Sequence, residues 1–191
     1  MSYSAEGDPY CYPGTTILRN LLDIRDQSEL DDAELALFLI RANEPLPPGE
    51  LDAAHYLRLH HHLFQDVYDW AGKVRTVRIA KAGNWFCYPE HIEAWLAKAF
   101  EEYGDPDELI DVPAAAFAAK TARLLAEINA AHPFREGNGR AQLTYLTLLA
   151  IHCGFSVNDD VLDPGRVLSA MIESFAGNDT ALVALISDYV V

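Results

Sequence analysis

Nine residues follow one another without interruption: His132, Pro133, Phe134, Arg135, Glu136, Gly137, Asn138, Gly139 and Arg140. Their side chains are those of a site that handles phosphate. Glycine at 137 and 139 lets the main chain approach an oxyanion with no Cβ in the way. A glycine-rich turn leading into a helix presents unpaired N–H groups and the positive end of the helix dipole, and together these hold anions. Arg140 can grip a phosphate with two parallel N–H groups. Glu136 offers the hard oxygen preferred by the Mg²⁺ that accompanies a polyphosphate. His132 has an ordinary pKa in the physiological range, which suits a general base for a hydroxyl nucleophile. Phe134 is expected to turn inward and anchor the loop. A plain helix–turn–helix corner would also use a proline stop and a glycine start. It would not call for a histidine, a glutamate, an asparagine and two arginines around the glycines.

The elements that must position this loop are mostly helices. From Thr16 the pattern is helical through Leu18, Leu21 and Leu22. A second helix after Asp26 carries Leu30, Ala33, Leu37, Phe38 and Ile40, with Ser28 and Asp31 as a capping pair. Pro45, Pro47, Pro48 and Gly49 then interrupt the chain. Leu51 to about Phe64 reads as a helix with Tyr56, Leu59 and Leu63 on one face. Val74 to Tyr88 holds the convincing β signal, a hairpin turning at Ala82–Gly83–Asn84. Further helices are expected from Pro89 through Phe100, from Pro113 to Ala131, from Asn138 to Cys153 and after Asp163–Pro164; the apolar segment from Leu182 to Val190 reads as helix or strand, with helix favoured. His132, standing before a proline, closes the helix that precedes it. The turn-rich arm over residues 1–15 is pinned by Tyr3, Tyr10 and Tyr12.

Composition narrows the function classes. The chain has 191 residues, half of them hydrophobic, enough for one domain with its own core. Acidic residues outnumber basic ones 29 to 14, a formal charge of −15. That bias opposes direct binding to nucleic acid or to an anionic membrane. The opening MSYSAEGDPY has neither a basic nor an apolar leader segment, and three scattered cysteines suit a reducing compartment, so a cytoplasmic location is expected. His55 and His60–His62 do not make a metal site, because consecutive helical residues point in different directions. Packing or surface roles are expected for them. Trp70 and the Trp95–Phe100 cluster are read as core, and Cys153 as a packed thiol.

HPFREGNGR satisfies the signature HPFx[D/E]GN[G/K]R and resembles the Fic (filamentation induced by cAMP) domain family. Glu6–Gly7–Asp8–Pro9–Tyr10, Asn20–Leu21–Leu22, Asp66 through Lys73, and Ile128–Asn129 extend the likeness to single-domain bacterial Fic toxins. The resemblance implies a mainly α Fic-fold helical bundle with one β-hairpin flap beside the active-site loop, as a single domain over 1–191. Within it, residues 1–50 would form the N-terminal arm and helices, 51–155 the core with flap 74–88 and motif 132–140, and 156–191 the C-terminal helices. It implies transfer of AMP from ATP to a hydroxyl, a tyrosine by likeness, of a target protein. In this resemblance His132 is catalytic, Glu136 holds Mg²⁺, and Gly137, Asn138, Gly139 and Arg140 bind the nucleotide. Lys81 and Phe86 are the flap residues that bind target, although Lys81 also reads as a solvated turn lysine. The flap edge would take an extended target segment as an added strand. The implied partners are ATP, the B subunit of DNA gyrase or its topoisomerase IV counterpart, and a small antitoxin that supplies an inhibitory glutamate.

Gly139 stands where kinase-like relatives have lysine, which favours the AMP-transferring orientation of the nucleotide. Leu143 replaces a second arginine common in the family, and Arg78 stands where an acidic residue is common. Ser2 with Glu6–Gly7 matches the family's inhibitory pattern literally but is read as coincidence. Two alternatives follow: a transferase of another nucleotide or of phosphate, and a weakly active, antitoxin-bound interaction module.

Overall fold

The computed structural model describes residues 8–81 and 83–191. Tyr3 and the Ser2–Glu6–Gly7 pattern lie outside the described residues, as does Ala82 in the hairpin turn. The described residues are mainly helical: α1 (Gln27–Ala42), α2 (Ala53–Phe64), α3 (Ile92–Tyr103), α4 (Ala114–Ala131), α5 (Asn138–His152), α6 (Pro164–Phe175) and α7 (Thr180–Tyr189). Two short antiparallel strands, β1 (Ala80–Lys81) and β2 (Asn84–Trp85), make the hairpin, with Ala80 opposite Trp85 and Lys81 opposite Asn84.

Side-chain caps explain where several helices begin. Asp26, Asp52 and Asp163 accept from the N–H groups of Glu29, His55 and Arg166 respectively. The first of these replaces the expected Ser28–Asp31 pair, because α1 already starts at Gln27. The helix expected from Thr16 does not form. Tyr12 donates its N–H to Ile17 O, and Cys11 bridges Leu18 instead. Asn20 directs the chain away from helix: its Oδ1 accepts from the N–H of Ile24 at 2.9 Å and its Nδ2 donates to Ile24 O at 2.7 Å. Such a local side-chain bond competes directly with helical hydrogen bonding. Leu21 and Leu22 are consequently exposed.

The chain forms two compact units. One comprises the residues up to Ile92 together with His132–Ala141, and it contains every residue of the motif. Its core is built from Leu30, Tyr56, Leu59, Leu63, Phe64, Ile79 and Phe134, all buried. Arg41 ties α1 to the segment after α2 through both oxygens of Asp66, at 2.6 and 2.8 Å. The other unit comprises Glu93–Ala131 and Gln142–Val191. There α4 packs on α6 and α7 around Phe117, Leu125, Ile128, Leu185 and Ile186. Trp95 departs from its expected core position. It is 41% exposed, and its indole N–H reaches Glu127 at 2.9 Å. No helix among the described residues is long and apolar enough to cross a membrane.

Candidate active site

The loop from His132 to Gly137 is fixed by main-chain geometry first. Its ends both adopt left-handed backbone, with φ of +46° at His132 and +81° at Gly137. For a histidine that conformation is strained and survives only where neighbours enforce it. The neighbours are specific. Arg75 donates its main-chain N–H to Pro133 O at 2.8 Å and its Nε–H to His132 O at 2.8 Å. The imidazole of His132 is buried beneath Phe86, whose ring stacks on it at 3.8 Å with planes 16° apart. Phe134 turns inward as expected and is fully buried.

Asn138 serves the loop rather than reaching outward. Its Oδ1 accepts the N–H of Phe134 at 2.9 Å and its Nδ2 donates to Phe134 O at 2.8 Å, closing the turn like a clasp. The two glycines separate in role. A Cβ on Gly137 would come within 2.6 Å of the Phe64 ring and 3.0 Å of His60 Nε2, so the main chain is pressed against the core there. The N–H of Gly137 points to Glu136 Oε1 at 3.0 Å. A Cβ on Gly139 would meet nothing within 4 Å, and this position is exposed. Open approach therefore belongs to the first turn of α5, whose first rung is the bond from Ala141 N–H to Gly137 O. The N–H groups of 138–140 precede that rung, as an anion site at a helix start requires.

Beneath the loop lies His60, which sequence reasoning placed only as packing. Gly72 N–H donates to its Nδ1 at 2.9 Å, so the ring proton sits on Nε2 and is donated to Glu136 O at 2.9 Å. The ring stacks on Phe134 at 3.6 Å. Burial pushes this imidazole down to about 3, so it remains neutral. The other three histidines near it likewise donate to separate main-chain carbonyls: His55 to Pro47, His61 to Ala71 and His62 to Arg41. Each of the four rings thus has its own main-chain partner.

Charge at the site is arranged around Arg140. Its guanidinium lies over the rings of Phe38 and Phe64, at 5.3 and 4.7 Å, and pairs with the buried Glu34 of α1. Glu34 also accepts from the Tyr68 hydroxyl. Desolvation, aided by nearby Glu34, raises the carboxyl of half-buried Glu136, while the Gly137 N–H and Arg140 pull it back. Arg140 and the Tyr68 hydroxyl already hold Glu34, which leaves Glu136 as the motif's carboxylate for a cation. No group of three or more metal-type ligands occurs among the described residues. That donor set fits Mg²⁺ held by one carboxylate and by the phosphates of its nucleotide, and it does not fit an all-protein cage. Arg135 turns the other way. Its buried ion pair with Asp8, at 2.7 Å, ties the N-terminal arm to the motif.

The hairpin stands with Phe86 on His132, so those two expected site residues are brought together. Lys81 sits on β1 opposite Asn84, at the far end of the ladder. Arg78 fills the space between Trp85 and Tyr88, with its guanidinium 4.4 and 3.9 Å from their ring centres. Both aromatics are exposed. Glu34, Tyr68, Arg75 and Asp8 were not anticipated as partners of the motif. Asp8 was visible only as part of the family-like arm.

Known proteins share this construction. The Fic/DOC family model matches residues 50–150. A probable protein adenylyltransferase, y4lH, of Sinorhizobium fredii is 51% identical over 95% of this chain and 95% of its own. A probable protein adenylyltransferase Fic of Escherichia coli is 34% identical over 96% of this chain and 92% of its own. Among solved structures, the BepC protein of Bartonella tribocorum with bound AMPPNP superposes with a TM-score of 0.85 at 27% identity, covering 95% of this chain and 96% of that one. A Fic domain of Bartonella quintana with bound ADP gives 0.86 at 25% identity, covering 95% and 94%. The chain belongs to the Fic/DOC family and is an enzyme of the protein adenylyltransferase class.

Proposed function

We propose that the protein moves AMP from ATP onto a hydroxyl side chain, a tyrosine by family likeness, of a target protein docked along the 74–88 hairpin. The observation that carries this reading is the stack of Phe86 on His132, which sets the flap directly against the base. In the reaction the target hydroxyl oxygen bonds to the α-phosphorus as the bond from that phosphorus to the pyrophosphate oxygen breaks. His132 takes the hydroxyl proton. The first-turn N–H groups of α5 and the guanidinium of Arg140 stabilise the charge that gathers on the phosphate oxygens. Gly139 leaves that approach open. Glu136 would hold Mg²⁺, which when bound neutralises the polyphosphate. Family likeness assigns the gyrase B subunit or its topoisomerase IV counterpart as target, a toxin role, a small antitoxin as partner, and the cytoplasm as the site of action.

The pairing of Arg140 with Glu34, together with Leu143 in place of a second arginine, favours a second reading as a weakly active module held by its antitoxin. One experiment separates the readings. The protein is incubated with gyrase, Mg²⁺ and ATP labelled at either the α or the γ phosphate, beside His132→Ala. Transfer of α label by wild type alone is expected. Transfer of γ label alone would identify a kinase, and no label on any target would leave the binding module.

A further inference from the structure

We infer that Arg75 is the positioning residue that joins the base and the target-binding flap into one rigid piece, an inference that rests on the roles proposed for His132 and residues 74–88. Arg75 is 1% exposed, among the most completely buried large side chains of the protein. Its guanidinium spends its donors on three main-chain carbonyls from three segments. Nε–H reaches His132 O at 2.8 Å, Nη1 reaches Val77 O at 2.6 Å and Nη2 reaches Cys87 O at 2.6 Å. Val77 and Cys87 belong to the two arms of the flap, and His132 carries the base. A planar fork with fixed donor directions can hold three such carbonyls in one relation, and a single ammonium cannot.

The structure needs this fork for two reasons. First, the hairpin ladder is only two residues per strand, extended by one main-chain bond from Phe86 N–H to Ile79 O at 3.2 Å, and is too short to define a hairpin alone. The bonds to Val77 and Cys87 clamp its arms where further rungs would otherwise be required. Second, His132 sits at φ +46° before a proline, and the bonds from Arg75 to the carbonyls of 132 and 133 hold that conformation. Phe86 adjoins Cys87, so the same clamp that fixes Cys87 sets the ring on the imidazole. None of these bonds involves Glu136, Gly137, Gly139 or Arg140. Arg75 thus governs how base and target meet, and leaves the nucleotide's contacts alone.

Arg75→Lys tests this, since it keeps the charge and loses the fork. Three readouts are taken with AMPPNP and Mg²⁺ as probe. AMPPNP affinity is expected to stay within about twofold of wild type. Hydrogen exchange over residues 76–88 is expected to quicken by tenfold or more, and the upfield ring-current shift of the His132 ring protons to collapse. Transfer of AMP to gyrase B, where wild type shows it, is expected to fall on the order of a hundredfold, as a misplacement near 1 Å does. Unchanged flap exchange and an unchanged His132 shift overturn the proposal, as does an AMPPNP affinity that falls in step with activity. If Arg75→Lys does not fold, the wild-type protein decides through its ¹⁵N-arginine spectrum. Exchange of the Arg75 Nε–H a hundredfold or more below that of exposed arginines supports the clamp, and bulk-rate exchange refutes it. Failure of the base assignment itself shows separately, as retained activity in His132→Ala with the flap still protected.

Discussion

Replacing the two motif glycines one at a time separates structural need from ligand need. Gly137→Ala places a methyl 2.6 Å from two carbons of Phe64 and 3.0 Å from His60 Nε2. The residue also holds φ +81°, where an L side chain pays about 1–2 kcal/mol. Forcing a methyl into the packed Phe64–His60 corner adds about 1–3 kcal/mol. The sum is roughly 3 kcal/mol, and at about 2–4 °C per kcal/mol for a chain of this size the melting temperature falls by about 6–12 °C. Gly139→Ala meets nothing within 4 Å and has no left-handed backbone, so its melting temperature should stay within about 2 °C of wild type, as surface changes do. Its methyl would instead stand in the open approach to the first turn of α5, weakening AMPPNP binding. Calorimetric melts of both variants, followed by AMPPNP titration of Gly139→Ala, make the comparison. Equal melting temperatures for Gly137→Ala and wild type, or equal losses for both variants, would refute the division of labour argued from the two Cβ directions.

Three further outcomes follow from the same contacts. His60 has a folded pKa pushed to about 3 against an ordinary value near 6.5, so the unfolded chain binds the extra proton between them and stability drains as pH falls from 6.5 towards 3. With one proton at about 1.4 kcal/mol per pH unit, wild type should lose about 2 kcal/mol more than His60→Gln between pH 6.5 and 5 in urea titrations. Parallel acid slopes would contradict a buried neutral imidazole. Asp8→Asn leaves Arg135 buried without its counter-charge and should destabilise by about 3 kcal/mol, whereas Asp23→Asn, in the exposed pair with Arg25, should leave the unfolding midpoint where it is. Comparable effects in denaturant unfolding would show that burial does not decide between the two pairs. Glu34→Ala and Arg140→Ala, combined in a double-mutant cycle, should be non-additive by about 1 kcal/mol because both partners keep some solvent. Strict additivity would remove Glu34 from the account of how Arg140 is held.

Much of the protein was legible because its signals are local. Helical periodicity located the helices from α1 to α6, the apolar segment read as helix or strand is α7, and the contiguous motif placed His132, Glu136 and Arg140 together. The one false helix, from Thr16, arose because Leu18, Leu21 and Leu22 repeat at helical spacing while the amide of Asn20, which turns the chain, carries no periodic trace. The hairpin was located correctly but expected to be longer than its ladder. Its β-branched Val74, Thr76, Val77 and Ile79 look like a strand held by neighbours, when a side chain performs much of the holding.

The residues that escaped sequence reasoning share a physical character. His60 and Arg75 act on the loop through its main-chain carbonyls, at Glu136 and His132, across 76 and 57 residues of chain. A bond to a carbonyl demands nothing of the partner's residue type, so no pattern at 132 or 136 announces it. The donor itself did leave a trace. His60 lies four residues after Tyr56 and four before Phe64, on the buried face of α2, and Arg75 interrupts a β-branched run. A polar group set into an apolar face must be satisfied, and a multi-donor side chain there is best satisfied by orphan carbonyls of an irregular loop. Such loops occur where a strained turn carries chemistry, as at His132. A buried arginine or histidine on an otherwise apolar face therefore marks the loop it supports: His60 and Arg75 both lead to the same nine residues, while buried His55 marks the proline-rich turn at Pro47.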